Sequence, residues 1–556
     1  MIFRQYELGC LSLFSYLIGD ETTGRAVVVD PQRDVSQYLA DAEALGLRIE
    51  RVFETHFHAD FLSGHLELAA ATGATITYGE EARADFAIDT VPDRWRLPLG
   101  QVVLEVRATP GHTPESISIV VWERADDPEP WGVLTGDTLF IGDVGRPDLL
   151  TSVGWTADDL ARRLYRSVRD QLLTLPDATR VYPAHGAGSA CGKNLGTATE
   201  STIGEQAATN YALQPMTEDE FVEAVTQGQS VAPLYFAFAA DSNRRERALL
   251  DDHETVPRLA LEEVLARQDA GAMVIDGRSS EIFASGHLRG SVNVGLDGRF
   301  AEYAGDVLRP GQQVVLVTEA GREEEARIRL ARIGFDSVVG ALEDVGAVLM
   351  LRPDLARSAA RVTADELTSL RDLVPGLQVV DVRNPGEAEG GIAEGAALMP
   401  LPNLLDRIDE LDPDRPTIVY CAGGYRSSTA ASLLRARGFA SVADVFGGYG
   451  ALAEVDIPTV SVREAFDRDP SVLLIDVRED TEYADGHAGG AELHPLSSFL
   501  ASDITATGPV HVICRSGNRS GTATRALRAA GVDAHNVEGG MLAWAATGLP
   551  VVVGAV

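Results

Sequence analysis

The sequence predicts a multidomain α/β protein: a β-rich first domain flanked by helices, then three α/β units, the first of them degenerate. Three observations lead there. A chain of 556 residues is too long for one core and should divide into roughly three to five units. Residues 1–240 carry extended runs such as "RAVVVD", "IERVFETH", "VVLEVRA" and "SISIVV", broken by Gly/Pro turns. After them "MVIDGRSSEIFASGH", "VVDVRNPGEAEGG" and "LIDVREDTEYADGH" recur, placing Asp276, Asp381 and Asp476 at intervals of 105 and 95 residues.

The expected boundaries follow from these patterns. The first domain covers 1–240. Residues 241–257, opening "DSNRRERALLDD", are charged and lack an apolar period, so they read as a linker or a solvated helix. The repeats occupy 258–350, 359–456 and 457–556. In each, short apolar strands alternate with helices, the pattern of a mostly parallel sheet.

Composition narrows the function classes. With 45% hydrophobic and 23% charged residues, several packed cores are expected and disorder is not. Asp and Glu outnumber Lys and Arg by 83 to 47, a net charge of -36 that repels nucleic acid and anionic lipid surfaces. No apolar run has membrane-spanning length, and the opening reads as first strands rather than a signal peptide. Cys10, Cys191, Cys421 and Cys514 are scattered, which fits a reducing, cytoplasmic setting better than a disulfide framework. Lys193 is the one lysine among 47 basic residues, two positions from Cys191.

In "THFHADFLSGH", His56 and His58 are two apart in an extended segment and leave the same side of the backbone. Three later segments present ligand types on Gly/Pro-bordered loops: "ATPGHTPES" with His112, "VLTGDTLFIGD" with Asp137 and "VYPAHGAGS" with His185. Together they point to a metal site. His65 is expected as an exposed residue of the following helix.

This order resembles the metallo-β-lactamase superfamily over nearly all of residues 1–200, and within it the persulfide dioxygenases and the glyoxalase II thioester hydrolases. The resemblance implies an αββα sandwich with metal at one edge of the sheets. Glyoxalase II enzymes hold two metals, and Phe61 stands where a ligand of the second would be. Persulfide dioxygenases hold one Fe(II) through residues that correspond to His56, His112 and Asp137, a triad with open positions for sulfur and O2. His58, Asp60 and His185 would then orient ligands or bind water. Phe61 departs from the persulfide dioxygenase pattern too, so it disfavours two metals without establishing iron. By the same resemblance Arg146 in "GDVGRPDL" is a candidate for binding an anionic group on the thiol carrier, against a simple ion pair with Asp148. Cys191, with Lys193 and Gly-rich backbone to stabilise a thiolate, is a candidate for persulfide handling or substrate entry, against an inert buried thiol.

In the repeats, "TIVY" runs into Cys421 and "CAGGYRS", and "VHVI" runs into Cys514 and "CRSGNRS", each followed by a helix. Backbone N–H groups and the guanidinium of Arg426 or Arg519 would favour a thiolate or bound persulfide. These copies resemble rhodanese domains, which carry sulfur as a cysteine persulfide. Asp381 with Arg383, and Asp476 with Arg478, then belong to a supporting "DVR" motif, and His487 has no counterpart in the second copy. The first copy has Thr318 at the cysteine position and Glu323 at the arginine position, the mark of a pseudo-rhodanese kept for packing or docking.

The combination implies a persulfide dioxygenase that oxidises low-molecular-weight thiol persulfides with O2 to sulfite, coupled to sulfur transfer to or from sulfite and thiosulfate, in sulfide detoxification or sulfur metabolism. The alternative is a thioester hydrolase with sulfur-carrier domains. A homo-oligomer is compatible with either reading.

Overall fold

The computed structural model describes residues 1–554 except 152, 153, 456 and 507. Among the described residues, the first domain consists of two six-stranded sheets whose strands neighbour one another in chain order, from Ile2–Leu8 to Asp89–Val91 and from Arg96–Pro98 to Ser201–Thr202. Alternation along the strands builds the layers. Phe14, Tyr16, Ile18, Val29 and Phe53 point between the sheets and meet Leu104, Val106, Ile119 and Leu134. Leu17, Val28 and Val52 face the other way, onto Tyr38 and Leu68 of the helices Ser36–Ala44 and His65–Thr72. On the opposite flank Val120, Val133 and Val181 pack on Leu164 of helix Ala157–Arg166 and on Phe221 of helix Glu218–Thr226. The result is an αββα sandwich.

Each repeat folds as a five-stranded sheet in one shared order: first, fifth, fourth, second, third. In the first copy these are Arg258–Leu259, Val338–Leu342, Val314–Val317, Met273–Asp276 and Val292–Asn293, all parallel. Burial on both faces explains the unbroken apolar runs "MVI", "TIV" and "VHVI". A buried Asp–Arg lock closes the same turn three times. Arg278, Arg383 and Arg478 clasp Asp276, Asp381 and Asp476 at 2.6, 2.6 and 2.7 Å and donate onward to the carbonyls of Gly286, Gly391 and Gly486.

The chain divides into two compact units, residues 1–361 with 374–445, and residues 362–373 with 446–556. Helix Ala364–Leu373, which sequence order assigns to the second repeat, clusters with the latter, where it packs on helix Gly448–Val455.

One expectation is refined here and one corrected. Residues 243–257 lack helix and strand and leave Arg245, Glu246, Asp251 and Glu254 exposed, but two of their side chains are tied to the first domain. Asn243, fully buried, donates from Nδ2 to the carbonyls of His58 (2.8 Å) and Phe61 (2.7 Å) and accepts from the N–H of Ser63 (3.0 Å). Arg247 pairs with Glu67 at 2.6 Å. Arg247 thus finds a buried partner 180 residues away in sequence. His65 is buried, not exposed: its ring stacks on Phe86 at 5.0 Å, and Nδ1 lies 3.4 Å from Glu54.

Candidate metal centre and sulfur-transfer loops

The metal-type side chains gather where loops leave the strands at one edge of the sandwich. The Asp30 carboxylate pins the first loop, accepting the N–H of Thr55 at 2.7 Å and its hydroxyl at 2.8 Å. Thr55 Oγ1 then contacts His56 Nδ1 at 3.0 Å, which leaves His56 Nε2 for the site. His112 is oriented the same way, with Nδ1 2.8 Å from the Arg146 carbonyl. His56 Nε2 and His112 Nε2 lie 3.8 and 3.4 Å from Asp137 Oδ2. His185, with Nδ1 3.2 Å from the Ser12 carbonyl, directs Nε2 at Asp137 Oδ1 (3.4 Å) and Asp60 Oδ2 (3.5 Å).

The structure therefore brings His56, His112 and Asp137 together as one trio with metal-ligand spacing, each offering an atom within 4.8 Å of the others. Buried polar atoms are normally hydrogen-bonded. Here His56 Nε2, His185 Nε2 and both oxygens of Asp137 and Asp60 are buried without a hydrogen-bond partner, the condition a cation would relieve. Burial, reinforced by the neighbouring imidazoles, pushes His56 well below its ordinary range, which suits a candidate ligand.

His58, Asp60 and His185 form a second trio of the same spacing. Its His58 turns Nε2 toward Asp30 (3.1 Å) and Glu54 (3.5 Å), while its buried Nδ1 has no hydrogen-bond partner. Burial alone would lower its pKa, but Asp30 and Glu54 hold it up at about 9. Phe61, fully buried, sets its ring 4.4 Å from that of His58 and packs into the apolar core beside Leu62 and Tyr235. Carbon stands where a third nitrogen would complete a second site.

Two expected roles near the metal change in the structure. Arg146 is almost wholly buried and forks onto Asp148 with two bonds of 2.7 Å, while also donating to the carbonyls of Ala190 and Ser230. Of its two expected roles the structure displays the ion pair, and a guanidinium committed to four oxygens has no fork left for a substrate. Lys193 turns away from Cys191: its Nζ donates to the carbonyls of Ala224 and Gln227 and stands 4.9 Å from the centre of the Tyr211 ring. The Cys191 thiol is pushed well above its ordinary range by burial and by Asp60 and Asp137. Of the two readings the sequence offers, this favours the neutral buried thiol, which stands beside Asp137 and His185 at metal-ligand spacing.

Cys421 follows the central strand Thr417–Tyr420, and its Sγ accepts the N–H of Gly424 at 3.1 Å. In the unit holding the third repeat, Cys514 follows Val510–Ile513 and accepts from the N–H of Gly517 and the hydroxyl of Ser520, both at 3.2 Å. Gly424 and Gly517, at φ of 108° and 102°, supply the left-handed turn that aims these N–H groups at sulfur before the helices Tyr425–Ala436 and Asn518–Ala529 begin. The arginines are the surprise. Arg426 forks onto Glu387 (2.6 and 2.6 Å) and Arg519 onto Glu482 (2.6 and 2.7 Å), so each cation near its cysteine is shared with a carboxylate.

The first copy places Thr318 just past Val314–Val317, with its buried hydroxyl unpartnered, and Glu323 at the start of helix Glu323–Ala331. It holds its neighbour instead. Tyr425, from the Cys421 loop, donates its hydroxyl to the Gly295 carbonyl and lies 5.1 Å from the Tyr303 ring. Ser428 and Ser432 of the same helix donate to Asn293 Oδ1 and accept from its N–H. A cleft of about 900 Å³ is lined by Lys193 and Ser189 of the Cys191 loop, by Arg299 and Tyr303, and by Glu387 and Arg426. Sequence reasoning missed Asn243, which belongs to no motif, and Tyr425, which sits at a variable position of the cysteine loop.

The sandwich and its edge cluster define a metallo-β-lactamase-fold metal protein extended by rhodanese-like domains. The model of the metallo-beta-lactamase superfamily matches residues 8–185, and that of the rhodanese-like domain matches 260–344, 363–454 and 460–547. The mitochondrial persulfide dioxygenases ETHE1 of Bos taurus and Homo sapiens are each 30% identical over 236 residues, 42% of this chain and 83% of theirs. A cytoplasmic hydroxyacylglutathione hydrolase of Arabidopsis thaliana is 33% identical over 183 residues, 32% of this chain and 66% of its own. The crystal structure of a metallo-beta-lactamase from Staphylococcus aureus subsp. aureus COL is 33% identical, with a TM-score of 0.58, covering 62% of this chain and 99% of that one. The chain belongs to the persulfide dioxygenase family of the metallo-β-lactamase superfamily, joined to sulfur-handling rhodanese-like domains.

Proposed function

We propose that the chain is a non-haem iron persulfide dioxygenase coupled to sulfur transfer, acting in sulfide detoxification or sulfur metabolism. The observation that carries the reading is the convergence of His56, His112 and Asp137 with buried, unpartnered ligand atoms, on a chain that also holds two cysteine loops of sulfurtransferase type. Fe(II) bound by that trio would supply the open coordination positions and redox capacity that O2 chemistry requires. The overall change is RSSH + O2 + H2O giving RSH, SO3²⁻ and 2 H⁺.

The chain's own residues prepare this step. Thr55 and the Arg146 carbonyl fix the two imidazoles with Nε2 toward the site. Phe57, Ala59, Leu149 and Phe236 form an apolar antechamber at His112 that limits water around the reacting sulfur. At Cys421 or Cys514, the thiolate takes the outer sulfur of RSSH and RSH leaves; sulfite then attacks that sulfur, and the enzyme thiolate departs as thiosulfate forms. The loop N–H groups hold the negative charge on sulfur. The opposite net direction uses the same residues. All four cysteines are free thiols, in keeping with a cytoplasmic, reducing setting, and none of the described helices is long and apolar enough to cross a membrane.

Turnover of a defined persulfide by iron-loaded protein tests this, with O2 uptake, sulfite and thiosulfate all quantified. Cys421→Ser with Cys514→Ser should abolish thiosulfate while O2 uptake and sulfite persist. A second reading, a two-metal thioester hydrolase, draws on the spacing of His58, Asp60 and His185. Protein that binds two zinc ions, cleaves thioesters and consumes no O2 would establish it over ours.

A further inference from the structure

The antechamber at the metal trio has one charged feature that neither the metal nor the sulfur-transfer loops use. Its walls are apolar apart from His112 and Thr113 of the metal loop and the charged pair Asp241 and Arg244. Three arginines crowd this short stretch, and two are spoken for: Arg245 pairs with Asp241 at 2.9 Å and Arg247 with Glu67 at 2.6 Å. Arg244 has no carboxylate partner among the described residues. Its guanidinium lies 4.9 Å from the centre of the Phe57 ring, which in turn stacks on Tyr78 at 4.4 Å, and its buried Nε has no hydrogen-bond partner. A planar donor fork is thus held at the mouth by stacking alone, in a chain whose net charge is -36.

The cavity sets what reaches it. Its volume is about 100 Å³, small beside the cleft of about 900 Å³, and His112 and Arg244 both line it. A persulfide whose sulfurs lie at His112 therefore has the next substituents of its carrier within this same small space as Arg244.

Resting on the dioxygenase reading above, we propose that Arg244 is the specificity-determining residue of the antechamber, binding a carboxylate carried one or two carbons from the persulfide sulfur. The preferred substrates are then persulfides of amino-acid-like thiols rather than neutral or purely cationic ones. Asp241 stands near enough to the same mouth to favour the accompanying ammonium, although it is shared with Arg245.

L-Cysteine persulfide and cysteamine persulfide differ only in the carboxylate, so they make the test. With iron-loaded wild type, O2 uptake should show a KM for the cysteine compound roughly 10- to 100-fold below that for cysteamine persulfide, the range of a hydrogen bond to a charged group. Arg244→Gln should raise the first KM to the level of the second with little change in kcat, and Arg244→Lys should recover part of the difference. Calorimetric titration with the unreactive S-methyl-L-cysteine and S-methylcysteamine reads the same preference without turnover. Equal binding of the two analogues by wild type, or an equal loss for both substrates in Arg244→Gln, would overturn the proposal. A binding preference that Arg244→Gln removes, in protein that takes up no O2, would uphold Arg244 and sink the dioxygenase reading instead.

Discussion

Asn243→Ala should open the metal loop without touching a single candidate ligand. The wild-type side chain, fully buried, makes three hydrogen bonds: two donated to the carbonyls of His58 and Phe61 and one accepted from Ser63. Alanine leaves two buried carbonyls and one buried N–H unsatisfied, at about 1–3 kcal/mol each. Relaxation and water entry recover part of that, so a local loss of about 3–5 kcal/mol is expected. His56 and Asp60 lie within this loop, so the loss should appear at the metal. Iron bound per chain at a fixed free-metal concentration should fall by at least tenfold, and the amides of residues 56–65 should exchange with solvent far faster than those of the repeats. Asn243→Asp should fare no better, because it keeps the acceptor for Ser63 but faces two carbonyls with oxygen. Wild-type iron binding together with unchanged exchange in Asn243→Ala would refute the claim that this residue holds the loop.

Other outcomes follow from the same geometry. Phe61→His should raise the metal content measured by elemental analysis from one toward two ions per chain; a count that stays at one would show that Phe61 is not what closes the second position. Glu387→Gln releases Arg426 from its fork and should lower the thiosulfate KM of Cys421 several-fold, with a steeper dependence on ionic strength, whereas a raised KM would mean that the pair positions the loop. In metal-free protein, His58 has a folded pKa of about 9 against about 6.5 unfolded. Its contribution to stability is therefore complete below about pH 6.5 and is lost as pH rises through about 9. Denaturation midpoints of the first domain should decline across that window in wild type and stay flatter in His58→Gln.

Much of the fold was legible because it rests on local pattern. The threefold return of the Asp–Arg motif and the apolar strands "TIVY" and "VHVI" mark the repeats, and the structure builds them with one strand order. The trio of His56, His112 and Asp137 could be nominated since His56 stands in a His-x-His pair and His112 and Asp137 sit in short Gly- or Pro-bordered motifs. What could not be read was the destination of side chains. Arg146 and Lys193 have the composition of an anion site; the Asp148 partner of Arg146 was legible two residues away, but its further acceptor Ser230 and the Ala224 acceptor of Lys193 lie tens of residues off. His65 opens an apolar helix and Asn243 lies in a charged stretch, and the burial of each is created by packing between distant segments that no periodicity announces.

Tyr425 has a consequence for how the molecule can be taken apart. The loop carrying Cys421 is pegged into the repeat that lost its own nucleophile, through Gly295, Tyr303 and Asn293. Excising residues 258–350 as dispensable would withdraw the wall against which a working catalytic loop is shaped. The Cys514 loop carries Asn518 where Tyr425 stands, so an inert repeat that looks vestigial by its chemistry is an anchorage for one reactive cysteine and not a template for both.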